Sequence, residues 1–192
     1  MFAIPNHQSA YQTIIFPRLT SPTMLIRKTM ASMLLFSLTM GGILGCTSEP
    51  SVVDQLDPAT KAILNDPAFL ESFRVDPETI IPTKDHSIGK FTIIAQGPRL
   101  DREAARALAK ILQGKEIRQS IKKCGFHPGV AFQIVDAKGN SVDTLFCFLC
   151  DVMQLGGSDW QDFDLARGKV LRLAKRAFPD DPEIQGLKES RR

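Results

Sequence analysis

The chain has 192 residues, of which 43% are hydrophobic and 23% are charged, a balance typical of a folded globular protein and not of a disordered one. Its net charge of +3 belongs to the N-terminal segment, where Arg18, Arg27 and Lys28 are the only charged residues before Cys46. The 24 basic residues include these three, which leaves 21 to balance the 21 acidic residues. This balance argues against a nucleic-acid-binding protein that works by neutralising phosphates.

A secretory signal is indicated between Met24 and Cys46. Its sequence, MLIRKTMASMLLFSLTMGGILGC, places Arg27 and Lys28 near the start, followed by about seventeen uncharged residues that end in small residues and the cysteine. A basic start, an apolar middle and a small-residue end are the three parts of a signal peptide. The apolar part is shorter than the ~20 residues of a membrane-spanning helix. We therefore expect Met24 to be the true start, and residues 1–45 to be an upstream extension plus the signal peptide.

The last four residues of this segment, Ile43-Leu44-Gly45-Cys46, resemble the lipobox of bacterial lipoproteins. Leu44 departs from the small or β-branched residue that is common at its position. The resemblance implies that the Cys46 sulfur receives a diacylglycerol and that cleavage makes Cys46 the new N-terminus. Two or three acyl chains would form a stable anchor, because each buried methylene contributes ~0.8 kcal/mol. An ordinary signal peptide or an uncleaved anchor is the alternative.

The expected location is the cell envelope, where residues 46–56 would be a lipidated tether on the periplasmic or extracellular side. Thr47 follows the cysteine at a position where many lipoproteins retained at the inner membrane carry Asp, and this favours the outer membrane. The membrane is then the partner of the N-terminal anchor. Another protein of the envelope is a candidate partner of the folded domain.

Two Asp-Pro pairs predict short helices between residues 57 and 88. The first pair ends at Pro58 and the second at Pro67. Asp is a good N-cap, and proline suits the first helical position because its fixed φ matches a helix and it has no N–H to leave unpaired. We therefore predict helices near 58–65 and 67–74, which would precede the main domain.

Residues 89–182 are predicted to form an α+β domain, with a polar tail over 183–192. The order is a strand in GKFTIIAQG, an amphipathic helix in LDREAARALAKILQG, a hairpin of VAFQIVD and SVDTLFCFLCDVMQL around AKGN, and a helix in DFDLARGKVLRLAKRAF. Apolar residues repeat every second position in the strands and at helical spacing in the helices. This order favours a small, mostly antiparallel sheet of three or four strands with helices packed on one face.

The final helix carries an apolar stripe and a basic row. The stripe consists of Leu165, Ala166, Val170, Leu173, Ala174 and Ala177. The basic row consists of Arg167, Lys169, Arg172, Lys175 and Arg176, and we expect it on the solvent side. On an anchored protein such a row could also lie against anionic lipid. Trp160, the single tryptophan, precedes this helix and either packs on the sheet or presents a binding surface.

Three cysteines and a histidine near the hairpin are candidate zinc ligands: Cys124, His127, Cys147 and Cys150. Their C-x2-H and C-x2-C spacings match the ligand types and pair spacing of structural zinc sites. The predicted strand argues against convergence. Cys147 and Cys150 are three residues apart, so in a continuing strand their side chains point to opposite faces and lie ~10 Å apart.

A disulfide is the competing interpretation, because the thiols of exported proteins tend to oxidise. With Cys46 lipidated, Cys124 could pair with Cys147 or with Cys150, and one cysteine would stay unpaired. The loop closed by either bond predicts ~3 kcal/mol of stabilisation from chain entropy. A thiol-redox centre would need a cysteine of low pKa. The large apolar neighbours of Cys147 and the carboxylate of Asp151 beside Cys150 argue against one.

Residues 122–182, with KKCGFHPGVAF, LFCFLCDV and LAKRAFPDDPEI, resemble a domain of uncharacterised bacterial lipoproteins, and this resemblance implies no activity. The sequence has no Gly-x-Ser-x-Gly nucleophile turn and no Gly-rich phosphate loop. We therefore expect a non-catalytic binding or structural module of the cell envelope, without a cofactor and without a nucleic-acid partner. The alternatives are a zinc-binding envelope protein and a thiol-disulfide redox protein.

Overall fold

A computed structural model describes residues 52–78 and 86–190, and all of them belong to one compact unit, Cys46–Arg192. These residues form an α+β fold in which helices pack on a curled antiparallel sheet, so the predicted fold class is confirmed. The predicted signal segment and Cys46 lie outside the described residues.

The described part of the chain contains four α-helices, two 3-10 helices and eight strands. The α-helices are α1 (Pro58–Asn65), α2 (Arg102–Leu112), α3 (Arg167–Ala177) and α4 (Pro182–Gly186). The 3-10 helices cover Val52–Gln55 and Asp164–Ala166. The strands are β1 (Pro67–Asp76), β2 (Ser87–Ile88), β3 (Phe91–Gln96), β4 (Arg118–Gln119), β5 (Val130–Asp136), β6 (Ser141–Cys147), β7 (Val152–Leu155) and β8 (Gln161–Asp162).

The eight strands form one sheet in the order β2-β3-β1-β5-β6-β7-β8-β4. Every neighbouring pair is antiparallel, as predicted. The predicted number of strands, three or four, is too low. Three of the eight strands, β2, β4 and β8, have only two residues each, which is too short for an alternating pattern to be visible in the sequence.

The predicted helix near 67–74 is wrong, because this segment forms β1. This strand is central and pairs with β3 on one side and with β5 on the other. Pro67 begins it, and proline is tolerated at the first residue of a strand as well as of a helix. The preceding Asp66 ends α1 as its C-cap and starts no new helix. The sheet therefore takes a central strand from a segment that was expected to be helical.

The helices α1, α2 and α4 each begin at an aspartate N-cap, whereas α3 begins after Ala166 without a side-chain cap. The Asp57 carboxylate accepts hydrogen bonds from the backbone N–H groups of Ala59 at 2.9 Å and Thr60 at 3.0 Å, which begins α1 as predicted. Asp101 accepts a hydrogen bond from the N–H of Ala104 at 2.9 Å and begins α2 in the same way. Hydrogen bonds from the Thr60 side chain and backbone lower the pKa of Asp57, because they favour the charged carboxylate.

The predicted hairpin is confirmed for β5 and β6, which pair on either side of a tight turn. Asp136 fixes this turn: its carboxylate accepts hydrogen bonds from the N–H groups of Lys138 at 2.8 Å and Asn140 at 2.9 Å. Gly139 between them has a φ of 85°, which glycine adopts at no steric cost. The sequence DAKGN, residues 136–140, therefore specifies the turn through local contacts.

The main core lies between the helices and one face of the sheet, and we call it the helix-side core. From the sheet it contains Val130, Phe132 and Ile134 of β5, each fully buried. From the helices it contains Leu108 of α2 and Val170 of α3, among others. Residues from all four α-helices belong to it, so the prediction of helices packed on one face agrees with the structure.

The other face of the sheet carries a smaller far-side cluster, which consists of Phe73, Val75, Ile88, Phe91, Ala131 and Leu145. All six residues come from strands. The sheet curls over this cluster. A Cβ atom on Gly89, in the turn between β2 and β3, would lie 3.5 Å from Leu145 Cδ1, although three strands separate β2 from β6. The cluster is therefore covered by the bent end of the sheet itself.

The final helix, α3, begins at Arg167, later than predicted. Leu165 lies in the preceding 3-10 helix and is 59% exposed, so its assignment to the apolar stripe is wrong. Leu171, which was not assigned to the stripe, is fully buried. The remaining stripe is confirmed, with Leu173 packed at its partly buried edge and the others inside the core: Ala166, Val170, Ala174 and Ala177.

Candidate functional site

A disulfide joins Cys124 to Cys150, with a Cα–Cα distance of 6.6 Å that lies within the usual range. Cys124 is in the loop between β4 and β5, and Cys150 is in the turn between β6 and β7. Both residues are half-buried. Of the two pairings that the sequence left open, the structure places Cys124 against Cys150 and leaves Cys147 unpaired.

The four candidate zinc ligands do not share one site in this structure. Cys147 is a free, fully buried thiol at the end of β6. His127 is exposed, and its Nδ1 lies 3.2 Å from a carboxylate oxygen of Glu78. Within residues 52–78 and 86–190, no three His, Cys, Asp or Glu side chains form a group that could hold a metal ion. Sulfurs bonded to each other cannot act as thiolate ligands, so the zinc site stays a prediction for the reduced chain.

The turn that carries Cys150 corrects the predicted continuous strand over residues 141–155. The strand β6 ends at Cys147, a turn follows, and β7 begins at Val152. Asp151, the last residue of the turn, has a φ of 54°, a conformation that Asp tolerates better than most residues. The chain thus reverses direction within a run of residues, FLCD, that contains neither Gly nor Pro.

A buried ion pair holds this turn against α3. The Arg167 guanidinium pairs with the Asp151 carboxylate, and their side chains are only 6% and 2% exposed. The same guanidinium donates to the backbone carbonyl of Phe148 at 2.8 Å and to that of Lys188 at 2.9 Å. The prediction that Arg167 lies on the solvent side of the helix is therefore wrong. Its charge is buried because both a carboxylate and main-chain carbonyls satisfy it.

A second cation, Lys122, holds the disulfide end of the turn. Its ammonium donates to the Cys150 carbonyl at 2.9 Å and lies 3.0 Å and 2.8 Å from carboxylate oxygens of Asp162 and Asp164. Burial disfavours the charged ammonium, but hydrogen bonds to Asp164 and Asp162 outweigh this and raise the pKa of Lys122 above its ordinary value. The turn is thus fixed by one covalent bond and by two cations.

A cleft of about 890 Å³ opens beside the disulfide, and we call it the disulfide cleft. Two apolar side chains at this cleft are largely exposed, Leu149 at 71% and Leu165 at 59%. It is lined by Lys122, Lys123, Cys124, Leu149, Cys150, Asp151, Asp164, Leu165, Arg167, Gly168, Glu189 and Ser190. The cleft therefore combines exposed apolar side chains with charged side chains such as Lys122 and Arg167, which are already held in ion pairs. This combination suits non-covalent binding better than proton transfer.

The sequence offers a disulfide at Cys124 as one of several interpretations, but it gives no sign of the cations that support this bond. The basic neighbours of Arg167 in the sequence predict an exposed row, and no pattern in the sequence points to Lys122. The partners of both cations lie elsewhere in the chain. Asp151 is 16 residues away from Arg167, and Cys150 is 28 residues away from Lys122. No local pattern reports such a contact. The one available signal was Asp151 itself, an acid inside an apolar run that needs a partner if buried.

Among the described residues, no helix has the length and apolar character needed to cross a bilayer. Comparison with protein-family models, with curated proteins and with solved structures finds no match for this chain.

Proposed function

We propose that this chain is an exported bacterial protein, anchored to the membrane through a lipid on Cys46, whose folded domain is a non-catalytic binding module of the cell envelope. The observation that carries the proposal is the disulfide between Cys124 and Cys150. Structural disulfides belong to oxidising compartments and are rare in the cytosol. The disulfide is independent of the lipobox-like segment, and both features favour export.

The tether between the anchor and the domain is short. Val52, the first described residue, follows Cys46 by six positions, so the two residues can be at most about 20 Å apart. A lipid on Cys46 would therefore hold the domain close to the bilayer surface. A binding module at that distance would meet partners that are themselves in or on the same membrane.

We assign partner binding to the disulfide cleft. Large apolar side chains such as Leu149 and Leu165 cost free energy when they face water, and contiguous exposed ones mark interaction surfaces. The partner that fits is a protein segment with an apolar side chain that inserts between these two leucines. The disulfide at Cys150 and the hydrogen bond from Arg167 to the Phe148 carbonyl hold the backbone on both sides of Leu149, which lowers the entropic cost of binding.

The anchor is tested by replacing Cys46 with Ala and labelling a bacterial host with radioactive palmitate. We expect the wild-type chain to be labelled and to sediment with membranes, and the C46A variant to be unlabelled and to be absent from the lipid-anchored fraction. C147A is the matched control, because it removes a buried cysteine that takes no part in the anchor. Labelling of C46A at the wild-type level would refute the proposal.

Partner binding is tested by placing a photo-reactive amino acid at position 149 and irradiating intact cells. We expect one defined protein adduct, which disappears when Leu165→Asp is added. The control position is Lys138, in the exposed turn of the β5–β6 hairpin, which should give no such adduct. An adduct that forms equally from both positions, or that survives Leu165→Asp, would contradict the assignment to the disulfide cleft.

A further inference from the structure

Trp160 is a supported aromatic platform at the edge of the sheet. It is the single tryptophan of the chain, it precedes β8, and it remains 40% exposed. Its ring stacks on Phe126, with centroids 5.6 Å apart and planes inclined by 26°. Phe126 in turn meets the edge of Phe91, a buried member of the far-side cluster, at 5.9 Å. The indole is thus backed on one side by protein while a large part of it faces solvent.

The backbone around Trp160 is also fixed. The N–H of Ser120 donates to the Trp160 carbonyl at 3.1 Å, which ties the tryptophan to the end of β4. The Gln154 side-chain amide donates to the carbonyl of Ser158 at 2.9 Å, which braces the loop before it. Such a platform is held in place before a ligand binds, and pre-organisation of this kind favours affinity.

A separate cleft of about 370 Å³ adjoins the tryptophan, and we call it the Trp160 cleft. It is lined by Gln119, Ser120, Gln154, Gly157, Ser158, Asp159 and Trp160. Amide and hydroxyl groups dominate this lining, the single charged residue in it is Asp159, and none of its residues is basic. The volume lies at the lower end of the range of small-molecule sites.

A buried acceptor lies next to this lining. The side-chain oxygen of Gln161 is buried without a hydrogen-bond partner among the described residues, while its amide nitrogen donates to the Ser158 hydroxyl at 3.2 Å. Unpaired buried acceptors are rare in proteins because they cost free energy. Within the described residues, the polar network behind the Trp160 cleft therefore has one acceptor to spare.

We propose that the Trp160 cleft binds a neutral saccharide. The C–H face of a pyranose ring is apolar and packs on an exposed indole, whereas its rim of hydroxyl groups needs both donors and acceptors. The amides of Gln119 and Gln154 supply both, and the Asp159 carboxylate accepts from vicinal hydroxyls. A phosphorylated ligand would need cations, which the lining does not supply. This site is independent of the anchor and of the disulfide cleft.

The single tryptophan makes the site directly observable by intrinsic fluorescence. The full chain, purified in a zwitterionic detergent without a sugar headgroup, is titrated with three trisaccharides: β-1,4-linked N-acetylglucosamine, β-1,4-linked glucose and α-1,4-linked glucose. We expect a saturable change in Trp160 emission with at least one of them. No change with any of the three up to their solubility limits would overturn the proposal.

Variants distinguish recognition in the cleft from a non-specific effect on fluorescence. Gln119→Ala and Asp159→Ala should each raise the Kd of the responding trisaccharide about tenfold, or 1.4 kcal/mol, because each removes a hydrogen bond to the ligand. Gln133→Ala is the matched control. Gln133 lies on β5, two strands from the β7 strand that lines the cleft, and its amide donates to Asp143. Equal affinities in all three variants and the wild type would refute the assignment.

The platform itself is tested with Trp160→Ala. Because this variant loses the fluorescence signal, binding is followed by saturation-transfer NMR on the protons of the trisaccharide, with circular dichroism to verify the fold. We expect the transfer signal to disappear in a folded variant. A folded W160A protein that still saturates the sugar protons as the wild type does would show that the indole is not the binding surface.

Discussion

The two faces of the sheet are stabilised in different ways. The helix-side core draws on all four α-helices and contains fully buried rings such as Phe132 and Phe146. The far-side cluster has six members, all from strands, and its outer aromatic contacts, Phe126 and Trp160, remain partly open to solvent. Burial of apolar surface is the main stabilising contribution to folding, so most of the stability should come from the helix-side core.

Stability and binding are therefore expected to depend on different regions of the molecule. The disulfide cleft and the Trp160 cleft both lie beside turns and loops, and polar contacts, a disulfide and aromatic stacking hold them in place. Such regions can change their surface chemistry without loss of the main core, whereas residues of the helix-side core cannot change without loss of packing.

The largest effect is expected for Phe146→Ala. The ring contacts Phe163 at 5.2 Å, Phe132 at 6.1 Å and Phe148 at 6.4 Å between centroids, so its removal leaves a cavity and breaks three aromatic contacts. We expect the free energy of unfolding in urea to fall by about 5 kcal/mol. Phe126→Ala on the far side should lower it by about 1.5 kcal/mol. Equal losses would contradict the contrast between the two faces.

The buried ion pair should be the next most costly to break. Arg167→Ala leaves the Asp151 carboxylate buried without its cation, and we expect a loss of about 4 kcal/mol in the free energy of unfolding. Arg172→Ala on the same helix is the control, because its pair with Glu189 is exposed and should contribute about 0.5 kcal/mol.

The contribution of the Asp151 carboxylate to this loss can be tested by adding Asp151→Asn to the Arg167→Ala variant. If the stranded carboxylate causes the loss, the double variant should be more stable than the single one, because a neutral amide costs less to bury. A double variant that is less stable than Arg167→Ala would show that packing, and not charge, explains the effect.

Reduction of the disulfide should cost about 3.5 kcal/mol, since the bond closes a loop with a sequence separation of 26 residues. The urea midpoint of the wild type should fall when a phosphine reductant is added. A Cys124→Ala/Cys150→Ala double variant should be insensitive to the reductant. A wild-type midpoint unchanged by complete reduction would contradict a stabilising role for this bond.

Metal analysis of the reduced chain separates the disulfide from the zinc alternative. A four-ligand site made by Cys124, His127, Cys147 and Cys150 would hold about one zinc ion per chain. We expect far less, because Cys147 is buried inside the fold while His127 is exposed and lies beside Glu78. One tightly held zinc ion in a folded, reduced sample would establish the alternative.

The smallest expected effect is the contribution of Asp181 to the pH dependence of stability. Burial opposes ionisation of Asp181, but the N–H groups of Ile184 and Glu183 and the Arg74 guanidinium outweigh it and hold the pKa of Asp181 below its ordinary value. A lowered folded-state pKa gives stability that is present above the unfolded pKa of about 3.9 and is lost as the pH falls through the folded value.

The carboxylate can be isolated with Asp181→Asn, which keeps a good N-cap for α4 but removes the titrating group. We expect the unfolding free energy of the variant to depend less steeply on pH than that of the wild type as the pH falls below about 4. Identical pH profiles for the two proteins would show that Asp181 contributes no acid sensitivity.

Local chemistry explains which parts of this fold could be predicted from the sequence. The helix α2 and the β5–β6 hairpin have clear periodicity, and Asp101 and Asp136 make the capping and turn contacts that their positions indicate. The segment at Pro67 was misread because an Asp-Pro pair suits the start of a strand as well as that of a helix. Its true neighbours, β3 and β5, are distant in sequence.

The candidate site was predictable only in part. The cysteines narrowed the pairing to Cys124 with Cys147 or Cys150, but the choice depends on a turn at Phe148–Asp151 that contains no Gly or Pro. That turn is fixed by tertiary partners, Arg167 and Lys122, whose roles no local pattern reveals. The Trp160 cleft likewise forms from separate parts of the chain, namely the end of β4, the strand β7 and the loop after β7.

Export and lipid anchoring can be tested together by mass spectrometry of the non-reduced protein extracted from the membranes of a bacterial host. We expect a mature chain that begins at Cys46 with a diacylglycerol on its sulfur, together with a peptide pair cross-linked through Cys124 and Cys150 and a free thiol at Cys147. A chain that retains its N-terminal segment, carries no lipid on Cys46 and holds all of its cysteines as thiols would contradict both export and anchoring.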